Sequence, residues 1–99
     1  MSSSLSAAAV VADDEFPAAA ICFSVQARAE PGVLPRIVEL FAKRGLVPQR
    51  WHSTAAGAML TIDVQIDGLG RDLADYIARC MRQITGVETV LTSQSRASG

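Results

Sequence analysis

The chain has 99 residues, length enough for one packed core and too short for a multidomain enzyme. Nine Lys and Arg against ten Asp and Glu leave a net charge of -1, which excludes the strongly basic footprint of most nucleic-acid binders. A hydrophobic share of 49% with 19% charged residues excludes a largely disordered chain, and no apolar run reaches the 18 or so residues of a membrane helix.

Residues 1–19 are rich in Ser and Ala, lack Lys and Arg, and include Asp13, Asp14 and Glu15. They read as a disordered tail and not as a secretion signal, so a cytoplasmic protein is expected. The domain is expected over residues 20–92, where eight basic residues face seven acidic ones, and residues 93–99 are expected to form a flexible C-terminal tail. Cys22 and Cys80 lie far apart with no CxxC pair, and His52 is the only histidine. A zinc site is therefore not expected, nor any other metal or cofactor. Both cysteines read as small buried hydrophobes in a reducing compartment.

Ile21, Phe23, Val25 and Ala27 alternate with Cys22, Ser24, Gln26 and Arg28, the period of a strand with one buried face. Pro31 and Gly32 break it. Leu34, Ile37, Val38 and Phe41 then recur at helical spacing, and Gly45 supplies a left-handed residue to end the helix after Lys43 and Arg44. Pro35 disfavours helical geometry at Leu34, a tension that would delay the helix by a residue. Residues 46–55 alternate poorly and contain Pro48, which cannot donate to a ladder, so this second strand belongs at a sheet edge. After a turn at Ala56 and Gly57, Leu60, Ile62, Val64 and Ile66 alternate cleanly with Thr61, Asp63, Gln65 and Asp67. A second helix follows the loop at Gly68 and Gly70, with Leu73, Ile77, Cys80, Met81 and Ile84 on one face and Asp72, Asp75, Arg79 and Arg82 on the other. Gly86 ends it before a short last strand at residues 87–92.

The order strand, helix, strand, strand, helix, strand is the split βαβ arrangement of a ferredoxin-like α+β sandwich. Two helices should cover one face of a four-stranded antiparallel sheet, with strands one and three in the centre and strands two and four at the edges. The other face would carry Cys22, Ser24, Gln26, Thr61, Asp63 and Gln65. These outward positions hold no aromatic residues on which bases could stack, so an RNA-binding role is not expected. Loop residues 30–33 have no cysteine pair for copper. His52, Ser53, Asp63 and Cys22 form no recognised catalytic constellation, so no catalytic residue is assigned.

Residues 28–37, Arg-Ala-Glu-Pro-Gly-Val-Leu-Pro-Arg-Ile, and the following Leu40-Phe41-Ala42-Lys43-Arg44-Gly45-Leu46 resemble the opening half of an ACT domain. The resemblance extends over residues 20–92 and is strongest to the short, single-domain form of the acetolactate synthase small subunit of branched-chain amino-acid biosynthesis. It implies a non-catalytic regulatory module, a homodimer, that binds a small effector, commonly an amino acid, between the first loop of one copy and strand two of the other. Any synthase activity would reside in a thiamine-dependent large subunit as partner. The effector residues implied are Glu30, Gly32, Val33 and Leu34 from the first loop, with Val47 and Gln49 in the first part of strand two. Pro48 and Trp51 fall at the implied dimer interface, with tryptophan a frequent anchor of such contacts. Gly32 would let backbone approach the ligand, and the amides of Val33 and Leu34 at the helix start could meet a carboxylate. Ala29 and Val47 replace the two asparagines of valine-responsive members, leaving Glu30 and Gln49 as the nearby polar groups. A stand-alone interaction domain that has lost its effector is the alternative.

Overall fold

The computed structural model describes residues 19–96. Of the expected N-terminal tail at residues 1–19, residues 1–18 lie outside the described residues and Ala19 opens β1; the last three residues of the expected C-terminal tail also lie outside them. Six elements follow in order: β1 (Ala19–Arg28), α1 (Val33–Ala42), β2 (Arg50–Ala56), β3 (Met59–Asp67), α2 (Arg71–Arg82) and β4 (Val87–Arg96). The strands form one antiparallel sheet in the order β2-β3-β1-β4, the expected ferredoxin-like arrangement.

The register follows the alternation of the sequence. Phe23 pairs with Val64 and Val25 with Ile62, so the buried faces of the two central strands coincide. Ile21, Phe23, Val25, Leu60, Ile62, Val64 and Ile66 form the sheet side of the core. Val33, Ile37 and Phe41 from α1 and Ala74, Ile77, Ala78 and Met81 from α2 close it from above. The Phe23 and Phe41 rings meet edge to face at 5.7 Å.

Four local expectations change. First, α1 begins at Val33 without delay, because Pro35 stands in the first turn, where its missing N–H removes no helical bond. Second, residues 46–49 are irregular and β2 starts only at Arg50; Gln49 donates its amide to the Gln65 carbonyl at 2.9 Å and leads into the ladder. Third, β4 continues past Thr92 to Arg96, where it pairs with the beginning of β1. Fourth, neither cysteine is fully buried: both are free thiols of intermediate exposure.

Both helices are also rotated from the expected faces. Val38 is 48% exposed, while Val33, left out of the apolar stripe, is fully buried. On α2, Leu73 is 37% exposed, and the small Ala74 and Ala78 face the sheet instead. Small side chains let the helix approach closely, and the pairing of large residues alone does not reveal that. The α1 stop is as expected: Gly45 adopts φ 68°, and the Leu46 amide reaches back to the Phe41 carbonyl at 3.0 Å.

Candidate functional site

The first loop, residues 29–32, is held from both sides by backbone. The Arg28 amide donates to the Gly86 carbonyl at 2.8 Å, and the Ala29 amide to the Ala58 carbonyl at 2.9 Å. The loop therefore sits between the β2–β3 turn and the α2–β4 turn. Glu30 is exposed and its carboxylate lies 3.3 Å from the Arg28 guanidinium. Gly32 leads into α1 with φ -79°, an ordinary right-handed conformation, and its carbonyl accepts from Arg36 Nη1 at 3.2 Å.

Of the two amides expected to greet a carboxylate, Val33 is already committed, donating to the Glu30 carbonyl at 3.1 Å. Its side chain is fully buried, so Val33 shapes the loop from beneath. The Leu34 amide has no backbone acceptor among the described residues. As a group at the helix start, it is the remaining donor on the positive end of the dipole.

The second set stands elsewhere. Val47 is 75% exposed. The Gln49 side chain accepts from the Asp67 amide at 2.7 Å, and this bond splices the approach to β2 onto the end of β3. Ala58, beside the first loop, and Gln65, beside Gln49, are seven residues apart along one extended segment, about 23 Å at the rise of a strand. Within one chain the two sets of candidate residues lie at opposite ends of the sheet. The fold does not bring them together.

Between them runs an unpaired edge. β2 is exposed along its length except for half-buried Trp51, whose pairing with Val64 places it on the helix-covered side. Trp51 packs on the core and also lines an apolar groove of about 210 Å³ with Val38, Phe41, Ala42, Leu46 and Pro48. Core packing and surface display coexist in this one side chain. Sequence reading did not identify the groove, because its lining comes from α1, the following loop and β2.

On the uncovered sheet face, Cys22, Arg50, Asp63 and Gln65 surround a shallow depression of about 230 Å³. His52 is exposed beside Asp63. Among the described residues no group of three or more His, Cys, Asp and Glu is placed to hold a metal ion. No helix among them is long and apolar enough to cross a membrane. Two arginines tie α2 to the last strand: Arg71 donates to the Gln94 side chain and Arg82 to the Val90 carbonyl, each at 2.7 Å.

No curated protein matches this chain. Among solved structures, the ACT domain from GTP pyrophosphokinase of Chlorobium tepidum superposes with a TM-score of 0.68 at 16% identity, covering 77% of this chain and 99% of that one. The C-terminal domain of the MgtC protein from Mycobacterium tuberculosis gives 0.66 at 15% identity, with 84% and 94% covered. An uncharacterized protein from Thermotoga maritima gives 0.64 at 14%, with 76% and 94% covered. At these identities the likeness is one of fold. The family model described as ACT-like domain matches residues 15–98, nearly the whole sequence and every element above, and the chain belongs to that family.

Proposed function

We propose that this protein is a non-catalytic regulatory module that binds a small effector, an amino acid, between two copies of itself. The reading rests above all on the division of the candidate residues between two ends of one sheet, joined by an open β2 edge. If two copies pair their β2 strands antiparallel, the first loop of one stands beside residues 47–49 of the other. One chain alone has half of each site. Such pairing continues the sheet and satisfies the outward backbone groups of β2. It also sets the exposed Val47 of each copy beside the first loop of its twin, a self-complementary contact as two-fold symmetry requires.

Effector binding across this junction favours one arrangement of the pair, and an enzyme docked on it senses the change through differential contacts. The residues at the first loop resemble those of acetolactate synthase small subunits, and a thiamine-dependent large subunit is the partner we propose. The Leu34 amide and the Gly32 backbone would receive the effector carboxylate, and Glu30 its ammonium group. Both charges need partners once removed from water.

A second reading has its own support. The Val33 amide and the Gln49 side chain are already committed within the chain, and Ala29 and Val47 offer no polar side-chain group. That set suits a scaffold that pairs without a ligand. Titration calorimetry with the branched-chain amino acids separates the two. Saturable heat with one effector per site is expected from the regulatory module, and its loss is expected in Glu30→Ala. Absence of heat for any amino acid, from a chain that still forms dimers, would establish the scaffold.

A further inference from the structure

The sheet has two margins, and they are built differently. Among the described residues β4 pairs with β1 alone and is an edge strand, as β2 is on the opposite side. One bond fixes which backbone groups β4 turns outward: the Arg28 amide donates to the Gly86 carbonyl, on the β4 side of β1. Backbone directions alternate along a strand, so Val25, Phe23 and Ile21 point the other way, toward β3. Their partners across the ladder are Val90, Thr92 and Gln94. These are therefore the pairs without mutual hydrogen bonds, and Val90, Thr92 and Gln94 turn their N–H and C=O groups away from the sheet.

Helix α2 lies along this outward row and reaches both of its ends. Arg82 Nη2 donates to the Val90 carbonyl at 2.7 Å, so a guanidinium already occupies an outward acceptor. At the start of the helix, Arg71 Nη2 donates to the Gln94 side chain at 2.7 Å. The rise of α2 from Arg71 to Arg82, about 16 Å, is close to the run of β4 from Gln94 back to Val90, about 13 Å. Glu88 is an extra residue in β4 where the ladder shifts between Gln26 and Ala27, just before Val90. A fixed charge on an edge and a bulge beside it both discourage edge pairing. β2 has neither: among the described residues no side chain bonds its backbone, and its ladder with β3 runs without a shift.

We propose that Arg82 bars strand addition at β4 and so selects β2 as the edge at which copies of this chain pair. An incoming strand needs the Val90 carbonyl for its own amide. To take it, that strand has to displace a charge-assisted hydrogen bond and bury the guanidinium beside the new ladder. The consequence is closure. A two-fold contact at β2 uses that edge in both copies and leaves only the β4 edges outside. With those barred the assembly stops at a pair, whereas a second two-fold contact at β4 links pairs into an unbounded ribbon. The use of β2 rests on the function proposed above; the bar at β4 does not.

The test compares the full chain with full-chain Arg82→Met, which keeps the aliphatic stem and removes the donor and the charge. In sedimentation velocity the parent is expected to end at a pair as concentration rises, and Arg82→Met to grow beyond it. Amide hydrogen exchange locates the contact: Val90, Thr92 and Gln94 should gain protection with concentration in Arg82→Met and show no such dependence in the parent. Arg82→Met/Thr92→Lys, with a new charge on the same edge, should restore the parent's limit, which an assembly caused by unfolding would not do. Arg82→Gln, which stays polar, serves where methionine impairs folding and is expected to act as Arg82→Met does. In Val47→Asp/Arg82→Met, where pairing at β2 is weakened, a pair through β4 is expected. A parent that proves monomeric removes the β2 reading alone, and Arg82→Met should then pair through β4. Variants at Arg82 that stop at the parent's largest species, with exchange at Val90, Thr92 and Gln94 independent of concentration, would overturn the proposal. So would a parent in which those three amides gain protection on concentration, since its β4 edge is then already paired.

Discussion

Gly32 and Gly86 border the same loop, and each is glycine for a different physical reason. Gly86 adopts φ 99°, and a Cβ there would lie 3.0 Å from Val33 Cγ2 and 3.1 Å from Glu30 Oε1. Gly86→Ala is therefore expected to cost about 1–3 kcal/mol in a urea titration, from backbone strain and displacement of the first loop. Gly32 has an ordinary φ, and an added Cβ would meet only the Arg36 Nη1 end of a flexible side chain. Gly32→Ala should cost well under about 1 kcal/mol, and the smaller unfolded-state entropy works in its favour. If Gly32 serves close approach to an effector, the same substitution weakens amino-acid binding about tenfold or more, near 1.4 kcal/mol. A large stability loss with unchanged binding would return Gly32 to a purely structural role. From the sequence both positions look like turn residues, because φ depends on where the neighbouring loops run. Gly45 was legible, since it follows a marked amphipathic helix and basic residues.

At the scale of elements, period-two alternation located β1 and β3 accurately, and their register follows from matching two buried faces. The helices were legible in extent and less so in rotation. Large apolar residues drew the expected face toward Val38 and Leu73, whereas in α2 Ala74 and Ala78 are buried beside the expected Ile77 and Met81. The burial of an alanine depends on how close two elements come, and the sequence of one element does not contain that distance. The consequence is measurable: Ala78→Leu is expected to destabilise by about 1–3 kcal/mol through overpacking. Leu73→Ala, on the partly exposed side, should cost clearly less. Equal losses in thermal or urea unfolding would contradict this rotation of α2.

For the whole molecule, the separation of Gln49 from the first loop makes the proposed function a matter of assembly. A site completed between copies depends on dimer concentration, so ligand binding and pairing strengthen each other by the same factor. Val47 is the side chain we place beside the partner's first loop, and Val47→Asp puts a negative charge into that contact next to Glu30. It should yield monomers in sedimentation velocity at concentrations where the parent is paired. The amide spectrum should be unchanged, because Val47 is 75% exposed in the single chain. A Val47→Asp dimer of undiminished affinity would move the interface away from Val47 and the first loop.

Composition, alternation and turn residues were enough to determine a ferredoxin-like sandwich, its central strands and the likeness to ACT domains, because those signals are local and repeat along the chain. Tertiary structure decided which amides of the first loop are already bonded, that Gln49 is tied to the end of β3, and that Arg82 reaches the Val90 carbonyl. These facts depend on distances between segments far apart in sequence. Such distances are fixed only when the helices settle on the sheet.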